Sequence, residues 1–416
     1  MSQAEVYQKL VCRLCDRRRL ERVVTLTPTP PGNHFVTLEQ LDQPQTCYPL
    51  ELDFCLDCHH VQLRHVVHPE ILYQRNYSYV SGTSPVFVAH LRDCAASVIQ
   101  RFAPARGGLV VDIGSNDGTA LRCYQEAGYR VLGFDPATEI AQRATAAGIE
   151  TVCDFFSLRV AEQHLARDSQ AALVISHNAC AHIDDLRGVL QGVRLLLADD
   201  GVFVMEVGYL LDIVQNTWFD TIYHEHVDFH SVAPLVPFFA SVGLEIIAVE
   251  RVSPQGGSIR VIAQPVGGSR QPDGTVAKLV SLEREAGLDR PGTFKAFGET
   301  VNRIGAQLGA IVRELRAAGK TIAGYGAPTK ATTMLSHFQL GDVLDFLVED
   351  NPLKQNLFSP GLHIPVVPAT ELYQRKPDYL LILAWNFGES IMQRHRAFAT
   401  QGGRFILPMP TPHIVS

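Results

Sequence analysis

The densest chemistry in the chain lies in Tyr223-His224-Glu225-His226-Val227-Asp228-Phe229-His230-Ser231, with three histidines, two carboxylates and a tyrosine in nine residues. An imidazole titrates near neutrality, and a neighbouring carboxylate can orient it and hold its charged form. The run therefore suits general acid–base work. A metal site fits less well. H-E-x-x-H is absent, and successive side chains of an extended segment point to opposite sides. A solvated polar loop is the bland alternative. A second cluster is Cys12-Arg-Leu-Cys15 with Cys55-Leu-Asp-Cys58. Each C-x-x-C turn grips one edge of a metal, and two complete a tetrahedron. Four thiolates leave no open position, so a zinc ion held by Cys12, Cys15, Cys55 and Cys58 is structural. Cys47, His34, His59 and His60 are possible substitutes.

The elements that must position the acid–base run start at Leu109-Val110-Val111-Asp112-Ile113-Gly114-Ser115-Asn116-Asp117-Gly118. An apolar strand ends in a glycine turn, a helix follows to Ala127, and a second strand, Arg130 to Phe134, closes at Asp135. Glycine lets a backbone approach a ligand closely. The acid about twenty residues on stands where a ribose diol is hydrogen-bonded. A dinucleotide site wants G-x-G-x-x-G, but Asn116 occupies the second glycine position, and Asp112 and Asp117 would repel a pyrophosphate. The same acids attract a sulfonium and an amino group. The reading is S-adenosylmethionine rather than a nicotinamide, with Asp112, Gly114, Asn116 and Asp135 at the cofactor.

Further strands are predicted at Glu150–Cys153, Ala171–Ser176 and Gly201–Val207, in an open α/β sheet whose ligands lie beyond the strands' carboxyl ends. That rule brings Asp154, Asn178 and His182 to the site. Asp154 could meet an adenine amino group, with Phe155 and Phe156 on the ring or in the core. Between the cysteine module and the sheet, Tyr73, Tyr77-Ser78-Tyr79 and Ser81-Gly82-Thr83-Ser84 form either a lid or a packed interface, followed by a helix from Pro85 to Phe102. Gly243–Arg251 and Gly257–Ala263 read as a hairpin. Gln271–Gly319 reads as helical, broken at Pro291-Gly292. A second α/β unit follows, with strands at Thr321–Tyr325, Val343–Val348, Tyr379–Ala384 and Arg404–Leu407. Its turn, Gly324-Tyr-Gly326-Ala-Pro-Thr-Lys330, opens a helix with a lysine one turn in, which suits a phosphate or is merely structural.

With 416 residues, 46% hydrophobic and 19% charged, the chain has ample core for two or three domains. A net charge of −7 argues against a nucleic-acid polymer as partner. The sequence shows no apolar signal core near Met1 and no bilayer-length apolar run, so no membrane partner is expected. Nine cysteines, an odd number, then point to a reducing cytoplasm rather than to disulfides.

At this point the motifs carry a resemblance over essentially the full length. C-x-x-C twice, Tyr-Ser-Tyr near residue 78, D-I-G-S-N-D-G, N-x-x-A-H-I, Y-H-E-H, Q-G-G-S-I-R, Y-G-A-x-x-K and E-D-N-P-x-K-Q occur in that order. The chain resembles the S-adenosylmethionine-dependent C-methyltransferases of deoxysugar biosynthesis, which act at C3 of nucleotide-linked keto sugars. The resemblance implies an α/β chain in three parts: a zinc-binding domain (1–70), a class I methyltransferase domain with a Rossmann-like sheet (71–270), and a helical linker with a second Rossmann-like domain (271–416) that binds the nucleotide sugar. It makes His226 the general base, Tyr223 and Glu225 its partners, and Tyr79 and His182 the lining of the sugar pocket. Lys330, Lys354 and Asn386 become nucleotide or phosphate contacts. A monomer is expected. His230 before Ser231, in place of an aromatic residue, and Ala331, in place of a glycine, depart from the family pattern. The rival reading is a nicotinamide-dependent nucleotide-sugar oxidoreductase or epimerase.

Overall fold

The computed structural model describes residues 5–74, 80–253 and 256–415. At its centre Leu109–Ile113 forms a strand buried at every position. The strand order of the central sheet is Leu244–Val252, Ser258–Pro265, Leu197–Gly208, Ala171–His177, Leu109–Ile113, Arg130–Phe134, Thr151–Val152. The five strands from Leu197–Gly208 to Thr151–Val152 run parallel. Ser258–Pro265 is antiparallel to both its neighbours. The reversed pair is the hairpin expected from the sequence, inserted so that its second strand touches the parallel set.

Alternation along each strand sends Val110, Leu173, Ile175 and Val204 to one face, against Leu91 and Val98 of helix Pro85–Phe102 and Leu121 of helix Thr119–Glu126. Val111, Val174, Phe203 and Met205 go to the other face, against Val160 and Leu190. Local sequence starts these helices where expected. Ser84 Oγ accepts from Phe87 N ahead of Pro85, and Asp185 caps helix Leu186–Leu196.

The cysteine module is an antiparallel sheet of Leu20–Thr29, Tyr48–Cys55 and Val61–Leu63. Its fourth strand, Asp228–Phe229, comes from the histidine-rich run and pairs with Val61 and Gln62. The run is thus a structural joint and not a solvated loop.

In the C-terminal part, Pro291 begins helix Pro291–Ala317 at a position where its missing N–H costs nothing. Phe294 of that helix lies 5.5 Å from Phe54 of the cysteine module. The second sheet has the order Val366–Pro368, Leu347–Glu349, Ile322–Tyr325, Tyr379–Ile382, Arg404–Leu407, His413–Val415. The strand expected from Val343 begins only at Leu347, and the two three-residue edge strands are additions. One apolar core runs from Cys12 and Phe54 through Phe203 to Leu335 and Leu381, joining all three parts. Among the described residues no helix is long and apolar enough to cross a membrane.

Candidate active site and zinc knuckle

Each C-x-x-C turn closes the same way. Asp16 N donates to Cys12 O at 3.0 Å and His59 N to Cys55 O at 2.9 Å. Asp16 and His59 take left-handed φ values of 58° and 69°. The turns face each other, with Cys12 Sγ 3.5 Å from Cys58 Sγ and Cys15 Sγ 3.6 Å from Cys55 Sγ. All four sulfurs lie within 4.8 Å of one another. Tetrahedral zinc with bonds of about 2.3 Å spaces its sulfurs by about 3.8 Å, so the donor set fits the ion. The possible substitutes are engaged elsewhere. Cys47 is exposed, His34 contacts Ile71 O, His59 stacks on Phe54, and His60 meets Asp228 at 2.7 Å.

The central strand delivers Gly114 at φ 76°, where an added Cβ would lie 2.4 Å from Ala179 Cβ. Asp112, just before, is buried, and its Oδ1 has no partner among the described residues. Burial, reinforced by the charge of Asp135, pushes its carboxyl up to about 8. Asn178 (φ 57°) donates its backbone N–H to Glu206 O at 2.7 Å, while its side-chain Nδ2 is also unpartnered. An orphaned acceptor and an orphaned donor beside a crowded glycine turn fit a cofactor bearing both an amino group and acceptor atoms.

Asp135 behaves differently. Its two oxygens accept Asn116 N and Ala137 N, each at 2.9 Å, so it braces the turn, and a ribose diol would have to share those oxygens. Asn116 Oδ1 and Asp117 Oδ2 accept Ser81 N and Gly82 N, docking the segment before helix Pro85–Phe102 onto the turn. Asp154 lies further out. Its side chain is 43% exposed and paired with Arg159 at 3.2 Å. Phe155 is exposed, and Phe156 packs edge-on against Phe134 in the core. Tyr77, Ser78 and Tyr79 lie outside the described residues.

His226 sits across the Ala179–His182 turn from Gly114. That turn is pinned to the histidine-rich run by Val227 N donating to Ala181 O at 2.8 Å. His226 Nδ1 is 2.7 Å from Thr221 O, a carbonyl that can only accept. Nδ1 therefore carries the proton in the neutral ring, and Nε2 presents a lone pair 2.8 Å from the donating Tyr223 hydroxyl. Burial pushes the His226 pKa down to about 4, against the Thr221 bond, so the ring is neutral at pH 7. His182 stands 4.9 Å away, ring to ring, and is likewise held neutral, by burial first and by His226 second. Tyr73 OH lies 3.3 Å from His182 Nδ1 and 3.4 Å from Glu225 O.

The two residues between Tyr223 and His226 point away from that pair. His224 Nε2 turns to Tyr48 O at 3.1 Å, and Glu225 Oε1 accepts Asn33 Nδ2 at 3.0 Å. Burial pushes Glu225 up to about 7, against the pull of Asn33 and of the Lys354 charge. Asn33 had no sequence signal beyond its place after Pro31-Gly32.

The C-terminal part supplies the remaining wall. Lys354 is buried, donates to Ala327 O at 2.9 Å and lies over the Phe35 ring. It therefore sits beneath the Glu225 loop rather than at an open turn. Lys330 Nζ is 3.4 Å from the buried Asp220 and 4.4 Å above the Trp385 ring, and Trp385 Nε1 donates to the same Asp220 oxygen at 2.7 Å. Asn386 Oδ1 is without a partner among the described residues. At the turn itself Glu349 accepts Ala327 N at 2.6 Å. The sequence-predicted residues thus fall into a cofactor turn, a His182–Tyr223–His226 cluster with Glu225 behind it, and a Lys330–Trp385–Asn386 corner.

Comparison with known proteins divides the chain into three matched segments. Residues 12–73 match a family described as "Putative zinc binding domain", 87–249 a "Methyltransferase domain", and 253–410 a "C-methyltransferase C-terminal domain". The C-methyltransferase NovU of Streptomyces niveus is 36% identical over 406 residues, covering 97% of this chain and 96% of that one. Among solved structures, the PH0226 protein of Pyrococcus horikoshii OT3 covers 45% of this chain and 94% of its own, at 16% identity and TM-score 0.37. Magnesium protoporphyrin IX methyltransferase of Synechocystis PCC 6803, with bound S-adenosylmethionine, covers 43% and 80%, at 14% identity and TM-score 0.32. Matched almost end to end by the C-methyltransferase NovU and carrying a methyltransferase domain and a C-methyltransferase C-terminal domain, the chain belongs to the S-adenosylmethionine-dependent C-methyltransferases.

Proposed function

We propose that the chain methylates a carbon of a nucleotide-diphosphate-linked keto-deoxysugar, at C3 beside a 4-keto group. A carbon nucleophile must first lose a proton, and a neighbouring ketone makes that C–H acidic. The observation that carries the reading is the unprotonated Nε2 of a buried, neutral His226, its Nδ1–H held by Thr221 O and its lone pair accepting the Tyr223 hydroxyl, which turns to the substrate oxygen when substrate binds. That nitrogen takes the proton. Tyr223 and His182 donate to the enolate oxygen as charge develops there, a role the family resemblance also gives Tyr79. Bound S-adenosylmethionine supplies the electrophilic methyl group. Asp112, Gly114, Asn116, Asp135 and Asn178 hold it by the turn, with Asp154 at the outer edge. Glu225 keeps the base loop tied to Asn33. Lys330 and Asn386, with Trp385 as an apolar face, receive the nucleotide, and Lys354 supports that wall from beneath.

Exchange of the substrate's C–H into deuterated water tests the assignment. His226→Ala should lose exchange and methylation together, each by about 10²- to 10⁴-fold, the usual weight of a general base. Undiminished exchange in that variant would assign the base elsewhere.

A further inference from the structure

The sheet face that packs on helix Pro85–Phe102 carries a polar cluster within an otherwise apolar layer. His177 and Glu206 are direct partners across two parallel strands, so their side chains leave on the same face. His90 and Cys94 lie four residues apart on the helix and share one of its faces. Cys94 and Glu206 are buried, and Cys94 Sγ stands 3.6 Å from His177 Nε2. These two atoms and a Glu206 oxygen all fall within 4.8 Å of one another. Tetrahedral zinc, with bonds of about 2.3 Å to sulfur and 2.0–2.1 Å to nitrogen, separates those two donors by about 3.6 Å.

We propose that Cys94, His177 and Glu206 bind a divalent transition-metal ion, zinc by the chemistry of the set, at a site distinct from the four-cysteine knuckle. A thiolate, an imidazole and a carboxylate are borderline-soft ligands of the kind zinc takes, and three protein ligands leave one position open. Binding moves the Cys94 thiol proton to solvent as the S–metal bond forms. The surrounding residues already hold the carboxylate in place. His90 Nε2 is 2.7 Å from Glu206 Oε1, and Arg260 donates to Glu206 Oε2 at 3.2 and 3.1 Å and to Glu250 at 3.0 Å. The ion and Arg260 are balanced by the thiolate, Glu206 and Glu250, so the loaded cluster is neutral. His177 Nδ1 has no partner among the described residues, so the ring can orient for coordination through Nε2.

The consequence is a clamp between helix Pro85–Phe102 and the carboxyl ends of two central strands. Asn178 follows His177 and donates to Glu206 O, and Ser81 and Gly82, just ahead of the helix, dock on the glycine turn. An ion here fastens both walls of the cofactor hollow from behind.

The test uses the full-length chain, loaded with ZnCl2, dialysed against metal-free buffer and analysed by elemental mass spectrometry. Two zinc ions per chain are expected, falling to one in both Cys94→Ser and His177→Gln. Cobalt substitution should show a thiolate-to-metal band of single-sulfur intensity in the wild-type-minus-Cys94→Ser difference spectrum. One zinc per wild-type chain would overturn the proposal and leave an S–H···N hydrogen bond beside an Arg260–Glu206 ion pair. Two ions that persist in both variants would overturn it equally. The wild-type count decides even if a variant does not fold.

Discussion

Gly114 and Gly326 end the first strand of each α/β half with the same backbone solution. Their φ values are 76° and 89°, and an added Cβ would meet Ala179 Cβ at 2.4 Å and Ala384 Cβ at 2.9 Å. Their surroundings differ. Beside Gly114, Asp112 Oδ1 and Asn178 Nδ2 find no partner among the described residues. Beside Gly326, Glu349 accepts Ala327 N, Lys354 donates to Ala327 O, and Lys330 is paired with Asp220. A buried polar group without a partner costs free energy that a ligand can recover. The first turn is therefore built to be completed from outside. The second is partly completed from within, with Lys354 on Ala327 O, while Asn386 Oδ1 at that corner has no partner among the described residues.

The sharpest way to break this contrast is a matched pair of alanines. Gly114→Ala and Gly326→Ala each place a side chain at positive φ and should each destabilise by about 1–3 kcal/mol in chemical denaturation. Only Gly114→Ala should weaken S-adenosylhomocysteine, by more than about tenfold (1.4 kcal/mol) in calorimetric titration. Equal loss of affinity in both variants would end the distinction.

Lys354→Met tests the brace. It leaves the Ala327 carbonyl unpaired and should cost about 1–3 kcal/mol, lowering kcat while leaving S-adenosylhomocysteine affinity within threefold. Unchanged stability would show that Lys354 supports nothing.

A third test is in pH. The Asp112 carboxyl titrates near 8 in the folded chain, well above its usual value of 3.8. The folded state then holds a proton that the unfolded state has released, so stability declines as pH rises from about 4 to about 8. Asp112→Asn should flatten that decline in denaturation series run across the interval. An unaltered slope would remove Asp112 from the account.

Much of the fold was legible because its signals are local. Leu109–Ile113, the turn after it and helix Thr119–Glu126 announce themselves by apolar run, glycine and amphipathic period. The zinc knuckle is written in two C-x-x-C tetrapeptides. Three of the shortest strands were not legible: Val366–Pro368, His413–Val415 and Asp228–Phe229 are too short for alternation to register. The break expected at Pro291-Gly292 is there, between helix Thr275–Glu285 and helix Pro291–Ala317, and Pro291 itself opens the second helix. Lys354 became a nucleotide or phosphate contact only through the family resemblance. Only burial against Phe35 and Ala327 O revealed the brace.

By itself the sequence determined which residues could do chemistry here, since Cys, His, Asp and Gly declare their capacity through type and spacing. The tertiary structure decided which of them meet. Asn33 reaches Glu225, Tyr73 reaches His182, and Cys94 reaches His177 across long stretches of chain. It also decided which nitrogen of His226 is bare. A tautomer and a pKa are set by the carbonyl and the depth of burial that surround a ring, and neither is written in the ring's immediate neighbours.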